Sequence, residues 1–229
     1  MNDTVHLSTQ FDEDLENLRS RVLEMGGLVE AQINQTTKAY TQNNSAAVLD
    51  VLENDREVNK FEKTIDDDCI HIIAKRQPTA SDLRLVMSIS KMVTDLERSG
   101  DEIKKMAKSI RRIQERDVAV LKATTDVKHL ADAASSQLRS ALDTFARLDT
   151  DEARMVIEAD LSLDSEFKAI VRQLITFMME DPRSISTALD VITISRCIER
   201  VGDHAKNIAE QVIYIVEGRD VRHTNDDAS

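Results

Sequence analysis

The chain has 229 residues, of which 41% are hydrophobic and only 3% aromatic, with 5 Gly and 2 Pro. This composition excludes a disordered chain and favours an all-α fold, because the helix formers Leu, Ala, Glu, Lys and Arg dominate it. The net charge of −12 repels a phosphate backbone, and no Lys/Arg cluster is dense enough to form a local basic stripe, so we expect no nucleic-acid partner.

The first segment, MNDTVHLSTQF, lacks the positive region and apolar stretch of a signal peptide. No apolar run along the chain approaches the ~20 residues of a membrane span. We therefore expect a cytoplasmic protein. Its two cysteines, Cys69 and Cys197, form no CxxC motif, and we interpret both as core thiols.

Helix boundaries are predicted at intervals of roughly thirty residues. The second helix should begin at the N-cap candidates Asn44 and Ser45, and the fifth at Asp149. The prolines, Pro78 and Pro182, each precede a hydroxyl residue and an apolar-periodic run, which predicts the starts of the third and sixth helices. The sequence thus predicts six long helices.

The order of these features repeats. Segment AYTQNNSAAVLDVLEND aligns with TFARLDTDEARMVIEAD, so that Asp55 and Asp160 are equivalent at an offset of 105 residues. A repeat of this length predicts two tandem, pseudo-symmetric, antiparallel three-helix bundles rather than a solenoid. We place the boundary near Arg116, with one bundle in 1–115 and the other, ending in a short disordered tail, in 116–229.

A heptad pattern in the third helix places Gly100 among apolar residues, and the equivalent Gly202 falls on the same seam of the sixth helix. Glycine inside a helix costs about 1 kcal/mol relative to alanine. A residue without a Cβ lets a neighbouring helix approach closely, and the resulting van der Waals attraction between the helices can offset that cost. We therefore predict close helix packing at both glycines.

Acidic residues flank these seams one helical turn apart. Like charges at i and i+4 repel, and a cation held between convergent carboxylates would remove the repulsion. Magnesium, calcium, manganese and iron prefer such oxygen donors. A solvated flank neutralised by arginines such as Arg98 and Arg200 remains the competing interpretation. The ladders are Asp55 with Asn59, Glu97 with Asp101, Asp160 with Asp164, and Glu199 with Asp203.

Histidine adds little to this pattern. DCIH and DVKH have the spacing of a di-iron motif but lack matching inward glutamates, while His204 could join a metal site beside Asp203. The sequence contains no phosphate loop, nucleophile–base pair or zinc spacing. We expect a protein without enzymatic activity.

The repeated segments ERSGDEIKKMAK and ERVGDHAKNIAE, with DREVNKFEKTIDDDCI, DLSLDSEFKAIVRQL and MMEDPRSI, resemble the PhoU family of bacterial regulators of phosphate uptake. The resemblance runs from about Phe11 to Val221. It implies two three-helix bundles and a cytoplasmic negative regulator that links the ATPase subunit of the phosphate ABC transporter to a sensor histidine kinase. It also implies a homodimer that meets the membrane only through its partners.

Members of the family carry metal clusters on their acidic ladders. The resemblance therefore implies divalent or trivalent metal ions, with Mg, Mn, Fe, Zn or Ni possible. Asn59 departs from the family pattern, in which an acid is usual, and predicts a weaker first site. The implied ligands are Asp55, Asn59, Glu97 and Asp101 in the first half, and Asp160, Asp164, Glu199 and Asp203 in the second.

Two other classes compete with a regulatory adaptor. A ferritin-like di-metal carboxylate protein would direct its ligands into a bundle core. A helical scaffold or chaperone would bind no metal at all. Metal analysis separates the scaffold from the other two, and oxygen-dependent turnover would identify the ferritin-like protein.

Overall fold

A computed structural model describes residues 2–116 and 124–222, with the side chains of 2–9, 53–55 and 124–125 outside that description. The predicted all-α fold of six long helices is confirmed for these residues. The elements are α1 (Asn2–Thr41), α2 (Ser45–Arg76), α3 (Ala80–Glu115), α4 (Thr124–Arg147), α5 (Thr150–Glu180), a 3-10 turn (Pro182–Ser184) and α6 (Ile185–Glu217).

The helices pack as two three-helix bundles, α1–α3 and α4–α6. The bundles meet through contacts of α3 with α6 and of α1 with α4. Helix α3 ends one residue before the predicted boundary at Arg116, while the predicted tail after Arg222 lies outside the described residues.

The starts of α2 and α5 follow the predicted capping. The Asn44 side chain accepts a hydrogen bond from the Ala47 amide at 3.3 Å, and Asp149 accepts two, from the amides of Asp151 and Glu152. These bonds satisfy amides that have no partner within the helix. The preceding turns also correspond, because Asn43 and Leu148, 105 residues apart, both adopt positive φ, of 50° and 53°.

The two glycines have equivalent surroundings. A Cβ at Gly100 would meet Val58 and Gln32, and a Cβ at Gly202 would meet Leu163 and Gln137. Both pairs of neighbours are separated by the same 105 residues that the sequence alignment gave. The duplication is therefore present in the packing as well as in the sequence.

Close packing is tighter at the second glycine. An ideal Cβ at Gly202 would lie 2.3 Å from Leu163 Cδ2 and 3.0 Å from Gln137 Oε1. At Gly100 the nearest atom, Val58 Cγ1, is 3.4 Å away, which is ordinary van der Waals contact. The predicted close approach is thus confirmed at Gly202, whereas Gly100 has room for a methyl group.

Helices α3 and α6 run antiparallel across the centre of the molecule. Near one end Arg112 Nε donates to Asp190 Oδ1 at 2.8 Å, and near the other Asn207 Nδ2 donates to Asp95 Oδ1 at 3.0 Å. The midpoint of this register falls between Gly100 and Gly202. A pseudo-twofold axis therefore passes beside the two glycines and relates one bundle to the other.

Three alanine substitutions separate helix propensity from packing. Gly27→Ala should raise the free energy of unfolding by about 1 kcal/mol, because a Cβ at this exposed position meets nothing within 4 Å. Gly100→Ala should raise it by less. Gly202→Ala should lower it by about 1–3 kcal/mol, because Leu163 and Gln137 must move. Urea unfolding measures all three, and a Gly202→Ala variant as stable as Gly27→Ala would contradict the close-packing argument.

Candidate functional site

Asp160 and Asp164 of α5, with Glu199 and Asp203 of α6, form what we call the second acidic cluster. Partial desolvation raises the pKa of Asp203, and the nearby carboxylates of Asp160 and Asp164 raise it further. Burial likewise raises the pKa of Glu199, with Asp203 and Asp164 adding to the effect. The four carboxylates predicted from the sequence are therefore brought together, and their mutual repulsion is only partly offset.

Lysines supply part of the neutralisation in this cluster. Lys206 Nζ lies 3.0 Å from the buried carboxylate of Asp160, and Lys168 Nζ lies 3.6 Å from Asp164 Oδ2. Arg200, which the competing interpretation assigned to neutralising the ladder, forms an ion pair with Glu102 at 3.0 Å and is the smallest of the named influences that shift the pKa of Glu199. Ion pairs thus neutralise Asp160 and Asp164 directly. Arg196 lowers the pKa of Glu199, and Lys206 and His204 lower that of Asp203, but burial and the neighbouring carboxylates outweigh them.

The first acidic cluster, which comprises the predicted ligands of α2 and α3, includes residues that the sequence analysis missed. Partial burial raises the pKa of Glu62, and the carboxylates of Asp66 and Asp101 raise it further, against Lys63. Glu62 and Asp66 continue the α2 ladder of Asp55 and Asn59 along the same helical face. Their spacing was therefore visible in the sequence, but Phe167 and Val171 occupy the equivalent positions of the second half.

Three further ligands were predicted in this cluster, namely Asp55, Asn59 and Glu97. Glu97 and Asn59 are half-buried on α3 and α2, on the predicted flank. The side chain of Asp55 lies outside the described residues.

No three His, Cys, Asp or Glu side chains in the described part of the chain are arranged to hold one metal ion. The donor chemistry nevertheless fits, since both clusters present oxygen ligands that repel one another. A ferritin-like site draws ligands from four helices into a core, whereas the four acids of the second cluster all come from α5 and α6. The metal sites remain predictions.

His204 contacts the first bundle. Its Nδ1 lies 2.8 Å from Oδ1 of the buried Asp95, on the interface between α3 and α6. Asn207 donates to the same oxygen. Nδ1 of His204 therefore forms a contact between the two bundles and does not point to the ladder of Glu199 and Asp203.

Both cysteines are buried free thiols, as the sequence predicted. Burial raises the pKa of each thiol to about 12, chiefly by desolvation. A thiol with such a pKa is protonated at neutral pH and a weak nucleophile.

No helix among the described residues combines the length and apolar character needed to cross a bilayer. This agrees with the absence of a long apolar run in the sequence.

A family model described as the PhoU domain matches residues 22–110 and again 127–212. The chain is 48% identical over 220 residues to a phosphate-specific transport system accessory protein PhoU homolog of Pseudomonas putida, covering 96% of this chain and 86% of that protein. It is 42% identical over 223 residues to the Escherichia coli K12 accessory protein PhoU, covering 97% and 91%.

Solved structures show the same fold. The crystal structure of PhoU from Pseudomonas aeruginosa superposes with a TM-score of 0.88 at 45% identity, covering 91% of this chain and 100% of that one. A phosphate transport system regulatory protein PhoU from Streptococcus pneumoniae superposes with a TM-score of 0.85 at 26% identity, covering 92% and 99%.

The raised pKa values give the second cluster a definite pH dependence. Because Glu199 and Asp203 titrate above 4.5 and 3.8, the folded state holds their protons more tightly than the unfolded state does. The repulsion is therefore fully present above the raised pKa values and disappears as pH falls through them towards the unfolded values. Asp203→Asn should remove part of this repulsion at neutral pH.

We expect Asp203→Asn to raise Tm at pH 7 by about 1–2 °C, because like-charge pairs cost a few tenths of a kcal/mol and 1 kcal/mol shifts Tm by about 2–4 °C at this size. The gain should shrink towards pH 4. Calorimetry across this range measures it, with Asp12→Asn, an exposed aspartate of α1, as the control. A gain independent of pH would contradict the repulsion.

Proposed function

The chain belongs to the PhoU family, and from this membership we propose that it is a non-enzymatic accessory protein that restrains phosphate uptake and the phosphate-starvation response. One observation carries the proposal. The relatives that match nearly the whole chain, at 42% to 48% identity, are named as accessory proteins of phosphate-specific transport.

We place this function in the cytoplasm, between the ATPase subunit of the phosphate ABC transporter and a sensor histidine kinase. A chain with a net charge of −12 is a poor receptor for free phosphate. Reading the state of the transporter through protein contact is the more economical mechanism, because it requires no phosphate site. The state would pass to the kinase through a second surface of the same molecule.

Exposed apolar residues support a role in protein contacts. Leu83 and Met87 on α3, and their equivalents Ile185 and Leu189 on α6, are all between 39% and 54% exposed. Single exposed apolar residues are common, but recurrence at equivalent positions in both bundles is not explained by chance exposure. Such surfaces suit the proposed partners and a homodimer.

Metal binding at the acidic clusters is part of the same proposal. A bound cation would supply positive charge that cross-links the helices carrying its ligands. In the second cluster Glu199 and Asp203 have raised pKa values, so a cation would relieve their repulsion. To bind the same ion, Asp160 and Asp164 would first have to break their ion pairs with Lys206 and Lys168. In the first cluster Glu97, Asp101 and Asn59 would take part, with Glu62 close to Asp101. Asp55 would complete it.

Deletion of the gene tests the regulatory function. In cells grown in high phosphate, loss of the protein should raise alkaline phosphatase or another starvation-induced activity several-fold, because the kinase is no longer restrained. The wild-type gene supplied on a plasmid should restore repression. Persistent repression in the deletion strain would refute the assignment to phosphate signalling.

Elemental analysis tests the metal sites. Protein purified without chelator should lose bound metal in an Asp101→Ala, Asp203→Ala variant and keep it in Asp12→Ala, Asp143→Ala, which removes two exposed aspartates outside the clusters. Added ion at a hundredfold excess over Kd should stabilise the wild type by about 2.7 kcal/mol. Equal metal content in the two variants would remove these ladders as the sites.

A further inference from the structure

Helix α3 carries a row of cations on one side. Lys91, Arg98, Lys105 and Arg112 recur every seven residues, which is close to two helical turns. The row is about 32 Å long at 1.5 Å per residue. From the sequence we expected no local basic stripe, because no Lys/Arg cluster is dense. That expectation is corrected here, since the heptad spacing places these dispersed cations on one side of α3.

Helix α6 extends the stripe across the interface. The Glu102 carboxylate accepts an ion pair from Lys105 at 2.8 Å and another from Arg200 at 3.0 Å. Asp190 is shared in the same way by Arg112 and Arg116, at 2.7 and 2.6 Å. One carboxylate serves two cations in each case, so each group keeps a net positive charge.

In both groups the acidic side chains are buried and the basic side chains are exposed to solvent. The side chains of Glu102 and Asp190 are 7% and 8% exposed, whereas those of Lys105 and Arg200 are 53% and 52% exposed. The acids lie beneath the cations. This surface is therefore positive on a molecule whose net charge is −12.

The stripe deepens into a groove of about 550 Å³ between α3 and the end of α6. Its rim carries Lys91, Arg98, Lys206 and Arg222, and we call it the basic groove. Lys206 and Arg222 pair with Asp160 and Asp220. Lys91 and Arg98 form no ion pair with any described residue, although Lys91 lies 5.6 Å from the Tyr214 ring.

Hydrogen-bond acceptors line the floor of the basic groove. Asp95, Glu210 and Gln211 are all at least nine-tenths buried there. The Gln211 Oε1 atom is buried and has no hydrogen-bond partner among the described residues. Buried polar atoms are normally paired, and Gln211 lines the groove, so a rotation of its side chain would present this acceptor to an N–H or O–H group of a partner.

We propose that the basic groove and the α3 stripe bind an acidic segment of a protein partner. Carboxylates of that segment pair with Lys91 and Arg98 at the rim, and a backbone N–H donates to Gln211 Oε1 on the floor. A segment of about ten extended residues spans the 32 Å of the stripe at roughly 3.3 Å per residue.

The floor and the shape favour a polypeptide over other anions. A polypeptide can place its neutral residues over the buried carboxylates of Asp95 and Glu210, and its backbone offers an N–H at each residue for Gln211. A phosphodiester backbone carries a negative charge at every nucleotide and has no N–H group. A flat bilayer cannot enter a groove between two helices. The inference deepens the proposed adaptor function and rests on it for the partner's biological identity, but the binding chemistry can be tested alone.

The test compares two double variants of the full chain. Lys91→Glu, Arg98→Glu reverses the two unpaired cations, while Lys38→Glu, Lys75→Glu makes the same charge change at exposed residues in the last turns of α1 and α2. The probe is a twelve-residue peptide of alternating glutamate and serine with a neutral dye, with its glutamine counterpart as control peptide. Fluorescence anisotropy measures Kd, and circular dichroism confirms folding.

We expect the acidic peptide to bind the wild type and the Lys38, Lys75 variant with similar Kd. Binding to the Lys91, Arg98 variant should weaken at least tenfold, and added salt should weaken binding to the wild type. Equal binding by the two double variants would overturn the proposal. So would preferential binding of a twelve-nucleotide single-stranded DNA or of phosphatidylserine vesicles in place of the peptide. A repressed reporter in the deletion strain would instead refute the phosphate function and leave this measurement intact.

Discussion

The antiparallel contact between α3 and α6 is the constraint on which the rest of the structure depends. It joins the two bundles, buries Asp95, Glu102 and Asp190 between them, and fixes where each bundle's outer helices can lie. Gly100 and Gly202 sit at its centre, each facing the second helix of its own bundle. The seam residues that surround these glycines are fully buried, so packing holds the register and the polar pairs specify it.

Two uses of acidic residues follow from this arrangement. Acids at the α3–α6 interface are buried beneath cations and tie the bundles together. Acids between α2 and α3, and between α5 and α6, face other acids, so that several have raised pKa values. A single net charge therefore describes this molecule poorly, since positive and repulsive negative surfaces lie on different sides of the same helices.

The fold and most of the candidate site could be predicted from the sequence because both depend on the periodic spacing of apolar and acidic residues along the helices. The heptad seams, the caps at Asn44 and Asp149, and the offset between the halves are local or repeated signals. Symmetry also misled, because only ladders that recur in both halves were considered, and Phe167 and Val171 occupy the positions equivalent to Glu62 and Asp66. The pairing of Lys206 with Asp160, and of Arg200 with Glu102 instead of its own ladder, depends on helix rotation and side-chain reach, which spacing along the chain does not contain.

The pseudo-twofold axis has an evolutionary consequence. Asp95 with His204 on one side of the axis occupies the positions that Cys197 with Glu102 occupy on the other, each 102 residues apart along the chain. In a dimer of identical single bundles any substitution at these positions would appear twice, once on each side of the axis. An unfavourable pair of side chains would therefore occur at both places. Fusion into one chain frees the two copies from each other. The central interface can then hold an imidazole–carboxylate pair once and a thiol–carboxylate pair once, an asymmetry that no homodimer of single bundles could encode.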